Sequence, residues 1–351
     1  MNYLINQNNY PLFLQQLQEG GTVIAPLNEF NQYHLQELAP TNQDKIDLTG
    51  YRTVESFKSY FFRTIEQVSS YFGTDEPTHS QKLTLLGVRA CDLEALEILD
   101  RVFGEGELKD PFYLSNRKDT FIISTDCTDC AATCFCNLVN GRPYPTKLFD
   151  LNLSPLASGY GVEIGSPKGQ QFIDDNLSLF EKDNPDVLSQ KESLRNKVAA
   201  KLTESNRAFH SKANLSEIHK VNLENKAWKS ITKNCVECGN CNFICPTCSC
   251  FLLLDDRKQP TADGNDRYKV WDACLKNGYA KVAGGSNSRG KLTDRLQNRY
   301  HCKFDYSFDR LGRYTCVGCG RCCVDGCMAK IDMRQVFMEL IKQVLLTAKM
   351  E

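Results

Sequence analysis

CVECGNCNFICP (235–246) places Cys235, Cys238, Cys241 and Cys245 at C-x2-C-x2-C-x3-C-P spacing. Three thiolates so close together wrap a short loop around one face of an iron–sulfur cubane, with the loop's amide hydrogens directed at the cluster sulfides. Gly239 lies inside this loop, where a missing side chain lets the backbone approach closely. Four-cysteine zinc sites instead pair two C-x2-C knuckles, so the spacing points to iron–sulfur rather than zinc.

A second run, CVGCGRCCVDGC (316–327), sets Cys316, Cys319, Cys322 and Cys327 at C-x2-C-x2-C-x4-C, with Gly320 inside its loop. In two-cluster ferredoxins the fourth cysteine of each run serves the other cluster. That rule assigns Cys235, Cys238, Cys241 and Cys327 to one [4Fe–4S] cluster, and Cys316, Cys319, Cys322 and Cys245 to a second. The second run departs from the pattern twice: it has one extra residue before its last cysteine, and Met328 stands where proline is usual. Cys323 offers a substitute for Cys322, but the Gly-Arg-Cys step repeats Gly-Asn-Cys of the first run and favours Cys322.

About seventy residues separate the two runs, too many for a compact bacterial ferredoxin repeat. The expected architecture for 231–351 is therefore a mainly α-helical ferredoxin-type domain with two [4Fe–4S] clusters. It closes with an amphipathic helix over 331–349, whose apolar residues include Met333, Val336, Phe337, Leu340, Ile341, Val344 and Leu345. Arg321 and Lys233, each beside a triplet, are candidates for raising cluster potentials and equally for solvated surface charges.

Residues 1–230 read as an α/β domain ending in a polar, helical connection over 168–233. GTVIAPL (21–27), KLTLLGV (82–88) and TFIISTD (120–126) are apolar runs of strand length, and SFKSYFFRTIEQVSSYF (56–72) and DLEALEILDRVF (92–103) carry helical periodicity. Asp92 is placed as the N-cap of the latter helix. Cys91 and Cys127 fall just beyond two of these strands, where α/β proteins place their sites.

The whole chain has 351 residues and a formal charge of −1, so no global field favours nucleic acid, and no basic aromatic patch is visible. The longest apolar run is too short to span a bilayer, and the first residues resemble no signal peptide. A cytoplasmic protein without membrane insertion is expected. In a long chain of that kind, 18 cysteines point to metal rather than disulfides.

GVRACDLEAL (87–96), TCFC (133–136), CPTCSCF (245–251), VWDAC (270–274), AGGSNSR (283–289), RYHCKF (299–304) and CVGCGRC (316–322) together resemble, in this order, one family. These are the iron–sulfur electron-transfer proteins (4Fe-4S dicluster proteins) typified by the beta subunit of sulfhydrogenase and by the iron–sulfur subunit of anaerobic sulfite reductase. The resemblance covers nearly the whole chain. It implies a relay of single electrons in a multi-subunit oxidoreductase, between a reductase subunit that binds FAD and NAD(P) and a terminal hydrogenase or sirohaem sulfite reductase subunit. It also implies a third cluster held by Cys91, Cys127, Cys134 and Cys136. This chain differs from the pattern at Ser286, where histidine is common, and by the additional Cys130. Cys127 and Cys130 also have the spacing of a redox dithiol, and the group is otherwise readable as buried thiols.

Cys248, Cys250, Cys274 and Cys302 remain, read as thiols lining the cluster wall, with a further metal site as the other option. His301 reads as a hydrogen-bonded structural histidine, and AGGSNSRG (283–290) as a tight loop. An alternative function is catalysis: reduction of a sulfur or disulfide substrate at the N-terminal cluster. No acid–base or nucleophile constellation supports it.

Overall fold

A computed structural model describes residues 2–71, 82–182, 185–257 and 265–347. In chain order the elements are β1 (Asn2–Asn6), α1 (Tyr10–Glu19), β2 (Thr22–Glu29), β3 (Gln32–Glu37), α2 (Lys58–Phe61), β4 (Ile65–Tyr71), β5 (Leu83–Val88), α3 (Ala90–Gly104), α4 (Pro111–Asp119) and β6 (Thr120–Thr125). There follow β7 (Leu151–Leu156), β8 (Gly159–Ile164), α5 (Pro167–Asp175), β9 (Glu181–Lys182), α6 (Pro185–Ser205), α7 (Leu215–Lys220), α8 (Ala227–Thr232) and α9 (Asn240–Phe243). The last are β10 (Phe251–Arg257), β11 (Asn265–Trp271), α10 (Leu292–Tyr300), α11 (Tyr306–Leu311), α12 (Arg321–Val324) and α13 (Met333–Thr347). The chain forms two compact units: Met1–Phe62 with Thr78–Ser205, and Arg63–Pro77 with Asn206–Glu351. The boundary expected near 230 falls within the second unit.

The first unit is built on an eight-stranded sheet in the order β3-β2-β5-β6-β7-β8-β1-β9. Its centre, β2, β5, β6 and β7, is parallel, and the flanking strands are antiparallel. Parallel neighbours need crossovers, and α3 with α4 makes the one from β5 to β6. Ile5, Phe13, Val23, Leu86, Ile123 and Leu151 share one buried core, which is why β5 and β6 read as continuous apolar runs. The register sets Val88 opposite Ser124, so the chain leaves both strands at the same end, towards Cys91 and Cys127.

Two local expectations are corrected. Asp92 is not the N-cap: α3 opens one turn earlier, at Arg89, and buried Asp92 sits in the first turn, where its charge favours the helix dipole. The helix read over 56–72 is reduced to α2, and Ile65–Tyr71 is a strand. Its residues are β-branched, aromatic and polar, and they pair antiparallel with β11, where Lys269 and Glu66 form a buried ion pair at 2.7 Å. Tertiary pairing overrides a weak helical period here. Phe72 lies outside the described residues.

The second unit combines helices with a three-stranded antiparallel sheet, β10-β11-β4, which composition did not announce. The amphipathic C-terminal helix is α13, with Met333, Val336, Phe337 and Leu340 buried; the side chains of Val344 and Leu345 and residues 348–349 lie outside what is described. Between α10 and α11 the helix widens into a π-turn, His301–Asp305, a feature frequent at functional sites. Among the described residues, no helix is long and apolar enough to cross a membrane.

Candidate metal centres

In the second unit the two cysteine runs fold into loops of the same shape. Glu237 and Gly318, two residues after the first cysteine of each run, are left-handed at φ 56° and 65°. Gly239 and Gly320 follow at φ 72° in both loops, and each opens a four-residue helix, α9 or α12. This curvature turns the amide hydrogens of Glu237 and Gly318 back onto the sulfurs of Cys235 and Cys316. The extra residue of the second run is Gly326, inserted between the end of α12 and Cys327. A Cβ there would overlap Ile244 Cγ2, beside α9, so glycine fits the insertion without displacing that side chain.

A partly open cavity gathers Cys235, Cys238 and Cys241 from the first run with Cys327 from the second. Cys322 of the second run also lines it. Cys316 in turn has Cys322, Cys319 and Cys245 as its thiol neighbours. The fold thus brings the fourth cysteine of each run to the other run's triplet. Cys323 lies against Cys322 and bonds Asp332 Oδ1 at 3.8 Å, whereas Cys322 itself lines the cavity and faces Arg299 and Cys245.

The chemistry of this donor set fits iron–sulfur clusters. Burial pushes the Cys241 thiol up to about 11 and Cys316 further, so alone these groups hold their protons; a metal ion takes the proton's place when a thiolate binds it. Two cations are buried among the thiols, Arg299 at 3 % and Lys303 at 2 % exposure. Cys241, Cys322, Cys248 and Cys245 surround Arg299, whose Nη1 donates to Cys248 Sγ at 3.5 Å. Lys303 Nζ donates to the neutral Thr247 Oγ1 at 2.6 Å, with Cys245 and Cys248 nearby. Buried cations require a buried counter-charge, and the net negative charge of thiolate-ligated clusters provides one.

Arg299 and Lys303 lie within RYHCKF, where their spacing of four is the sequence signal that puts them on one helical face. Of the two tuning candidates, Arg321 is fully buried and Lys233 is exposed. His301 is hydrogen-bonded, as expected, through Nδ1 to Asp305 at 2.9 Å. In the glycine loop Val282 N–H bonds Ser286 O at 2.9 Å, and Gly284 and Gly285 have φ above 80°: a tight turn.

In the first unit Cys127, Cys130, Cys134 and Cys136 are brought together in the loop after β6. Burial pushes the Cys127 thiol up to about 12, against the pull of the Arg89 cation. Cys91 lies at the start of α3, off the parallel neighbour β5. Arg89 joins the segments: its guanidinium donates to Asp126 O at 2.5 Å, Thr49 O at 2.7 Å and Leu48 O at 3.0 Å. Asp126, immediately before Cys127, is fully buried and held by Arg195 of α6 at 2.8 and 3.1 Å, Ser154 Oγ at 2.7 Å and Asn152 Nδ2 at 3.0 Å. The loop is therefore anchored at its root by ion pairs and hydrogen bonds. Cys130 lies nearest the surface charges of the loop, beside Asp129, which pairs with Lys201.

A family model described as a 4Fe-4S dicluster domain matches residues 234–331, the span holding both cysteine runs. Sulfhydrogenase 2 subunit beta of Pyrococcus furiosus is 32% identical over 340 residues, covering 96% of this chain and 97% of that protein.

Proposed function

The chain belongs to the sulfhydrogenase beta-subunit family, and from that membership we propose that it relays single electrons within a multi-subunit cytoplasmic oxidoreductase. The relay runs between a reductase subunit binding FAD and NAD(P) and a terminal catalytic subunit of the hydrogenase or sulfite reductase type. The observation that carries this reading is the cavity joining Cys327 to Cys235, Cys238 and Cys241, the crossed ligand arrangement of two-cluster ferredoxins.

In this proposal Cys235, Cys238, Cys241 and Cys327 hold one [4Fe–4S] cluster, and Cys316, Cys319, Cys322 and Cys245 hold another. Cys91, Cys127, Cys134 and Cys136 hold a third. When bound, the clusters supply one-electron oxidation and reduction with little change of structure. The protein's own residues do the rest. The left-handed loops present backbone N–H groups to sulfur, and Ile331 N–H donates to Cys327 Sγ at 3.3 Å. Arg299 sets a positive potential between the two C-terminal thiol sets, Lys303 adds to it beside Cys245, and Arg89 does so beside the N-terminal set. Tyr300, Leu296 and Met333 line the cavity with buried apolar surface.

The test is iron and sulfide quantitation on anaerobically purified chain. About twelve irons per chain supports three clusters, about eight rejects the N-terminal one, and a colourless zinc-loaded chain overturns the reading. Turnover is the second readout: the isolated chain should reduce no sulfur substrate with an artificial donor until a flavoprotein and a terminal catalytic partner are added.

A further inference from the structure

We propose that Cys250 and Cys274 are a reversible dithiol–disulfide pair at the open end of the β10–β11 hairpin, a two-electron site beside the dicluster cysteines. In β10 and β11, Phe251 stands opposite Trp271, and Asp272 N–H donates to Cys250 O at 2.9 Å, one step beyond the ladder. This pairing brings Cys250 and Cys274 to the same end, where the two thiols are close enough to perturb one another. Neither belongs to the eight cysteines assigned to the C-terminal clusters.

Each sulfur of the pair has its own donor. Tyr279 OH donates to Cys250 Sγ at 3.5 Å, and Asn242 Nδ2 to Cys274 Sγ at 3.1 Å. Asn242 lies on α9 directly after Cys241, so the pair is bonded to the first cysteine run itself. Exposure divides the roles: Cys274 is buried at 6 %, whereas Cys250 is half-buried. An accessible thiol backed by a buried partner is the disposition of exchanging dithiols. Its greater exposure makes Cys250 the thiol that meets an exchange partner first.

Oxidation joins the two sulfurs, breaks both S–H bonds, and releases two protons to solvent and two electrons; reduction reverses every term. The electrons pass one at a time to or from one-electron carriers of the iron–sulfur class, and in this clause the inference rests on the proposed function. The pair then stores the two electrons of a hydride-derived input while the clusters pass them singly.

The test uses the anaerobic holo-chain, its iron content measured first. It is poised in dithiothreitol redox buffers, trapped with N-ethylmaleimide in denaturant, and mapped by mass spectrometry. The expected result is a Cys250–Cys274 linked peptide that appears over a two-electron transition, tenfold in the disulfide-to-dithiol ratio per about 30 mV. Cys274→Ser abolishes the transition and leaves iron content unchanged. Thiols alkylated at every potential overturn the proposal, as does a disulfide to Cys248 instead. Absence of the transition with iron lost in Cys274→Ser overturns it in favour of a metal site. A chain without iron that still shows the transition separates failure of the relay from failure of the dithiol.

Discussion

Glu237 and Gly318 hold the same place in two loops and the same left-handed backbone basin, φ 56° and 65°. One loop tolerates a side chain there because the Glu237 carboxylate pairs with the buried Arg295 guanidinium. Two runs separated by a long insertion thus converge on one backbone shape, which is set by where amide hydrogens must point and not by residue type alone.

Gly239→Ala tests that shape. The residue has φ 72°, and a Cβ would lie 3.0 Å from Ala273 Cβ. The left-handed conformation alone costs an L-residue about 1–2 kcal/mol. We expect a lower melting temperature and reduced iron occupancy, measured on the same preparation.

The crossed arrangement predicts paired losses. Cys327→Ser should remove the same electron paramagnetic resonance signal as Cys235→Ser, and Cys245→Ser the same as Cys316→Ser, each with about four irons lost. Cys323→Ala should retain full iron, since Cys322 and not Cys323 lines the cavity. Signals that instead disappear by run, not by crossed set, would falsify the assignment.

Arg299 lies among thiols of both sets. Reduction adds negative charge, so removing the cation lowers the potential. At an effective dielectric of ~20 and about 7 Å, one charge contributes about 2 kcal/mol, roughly 100 mV for one electron. Arg299→Gln should shift at least one cluster downward by tens of millivolts in a redox titration, with iron content retained.

In the first unit, Arg195 pairs with Asp126 and Glu163. Burial raises the Glu163 pKa, but Arg195 and Lys191 outweigh it and the net shift is downward. A carboxylate held below its unfolded value of about 4.3 contributes stability above that pH and loses it as pH falls through the folded value. Stability should therefore be flat from neutrality to about pH 5 and decline below about pH 4. Arg195→Ala leaves Asp126 buried without its cation, at a cost of about 3–5 kcal/mol. A denaturant midpoint unchanged by that substitution would contradict the anchoring role.

The sequence was most legible where chemistry is local. Ligand spacing within each run, the turn glycines, the apolar strands β2, β5 and β6, and the helix α3 are written in adjacent residues, because loop geometry and periodicity act over a few bonds. It was least legible where partners are distant. Ile65–Tyr71 carries a helical period yet becomes a strand because β11, some two hundred residues later, supplies its hydrogen bonds. The sheet β10-β11-β4 and the antiparallel flank β8-β1-β9 were invisible for the same reason.

For the candidate centres the division is similar. The sequence alone determined that thiolates occur in triplets suited to iron–sulfur chemistry, since three cysteines at fixed short spacing constrain the loop wherever it lies. Only the tertiary structure decided that Cys327 joins the first triplet's cavity, that Cys250 and Cys274 meet across a hairpin, and that Arg299 and Lys303 are buried between thiols. Charge burial and thiol pairing are properties of space, and a sequence does not express them until the chain has folded.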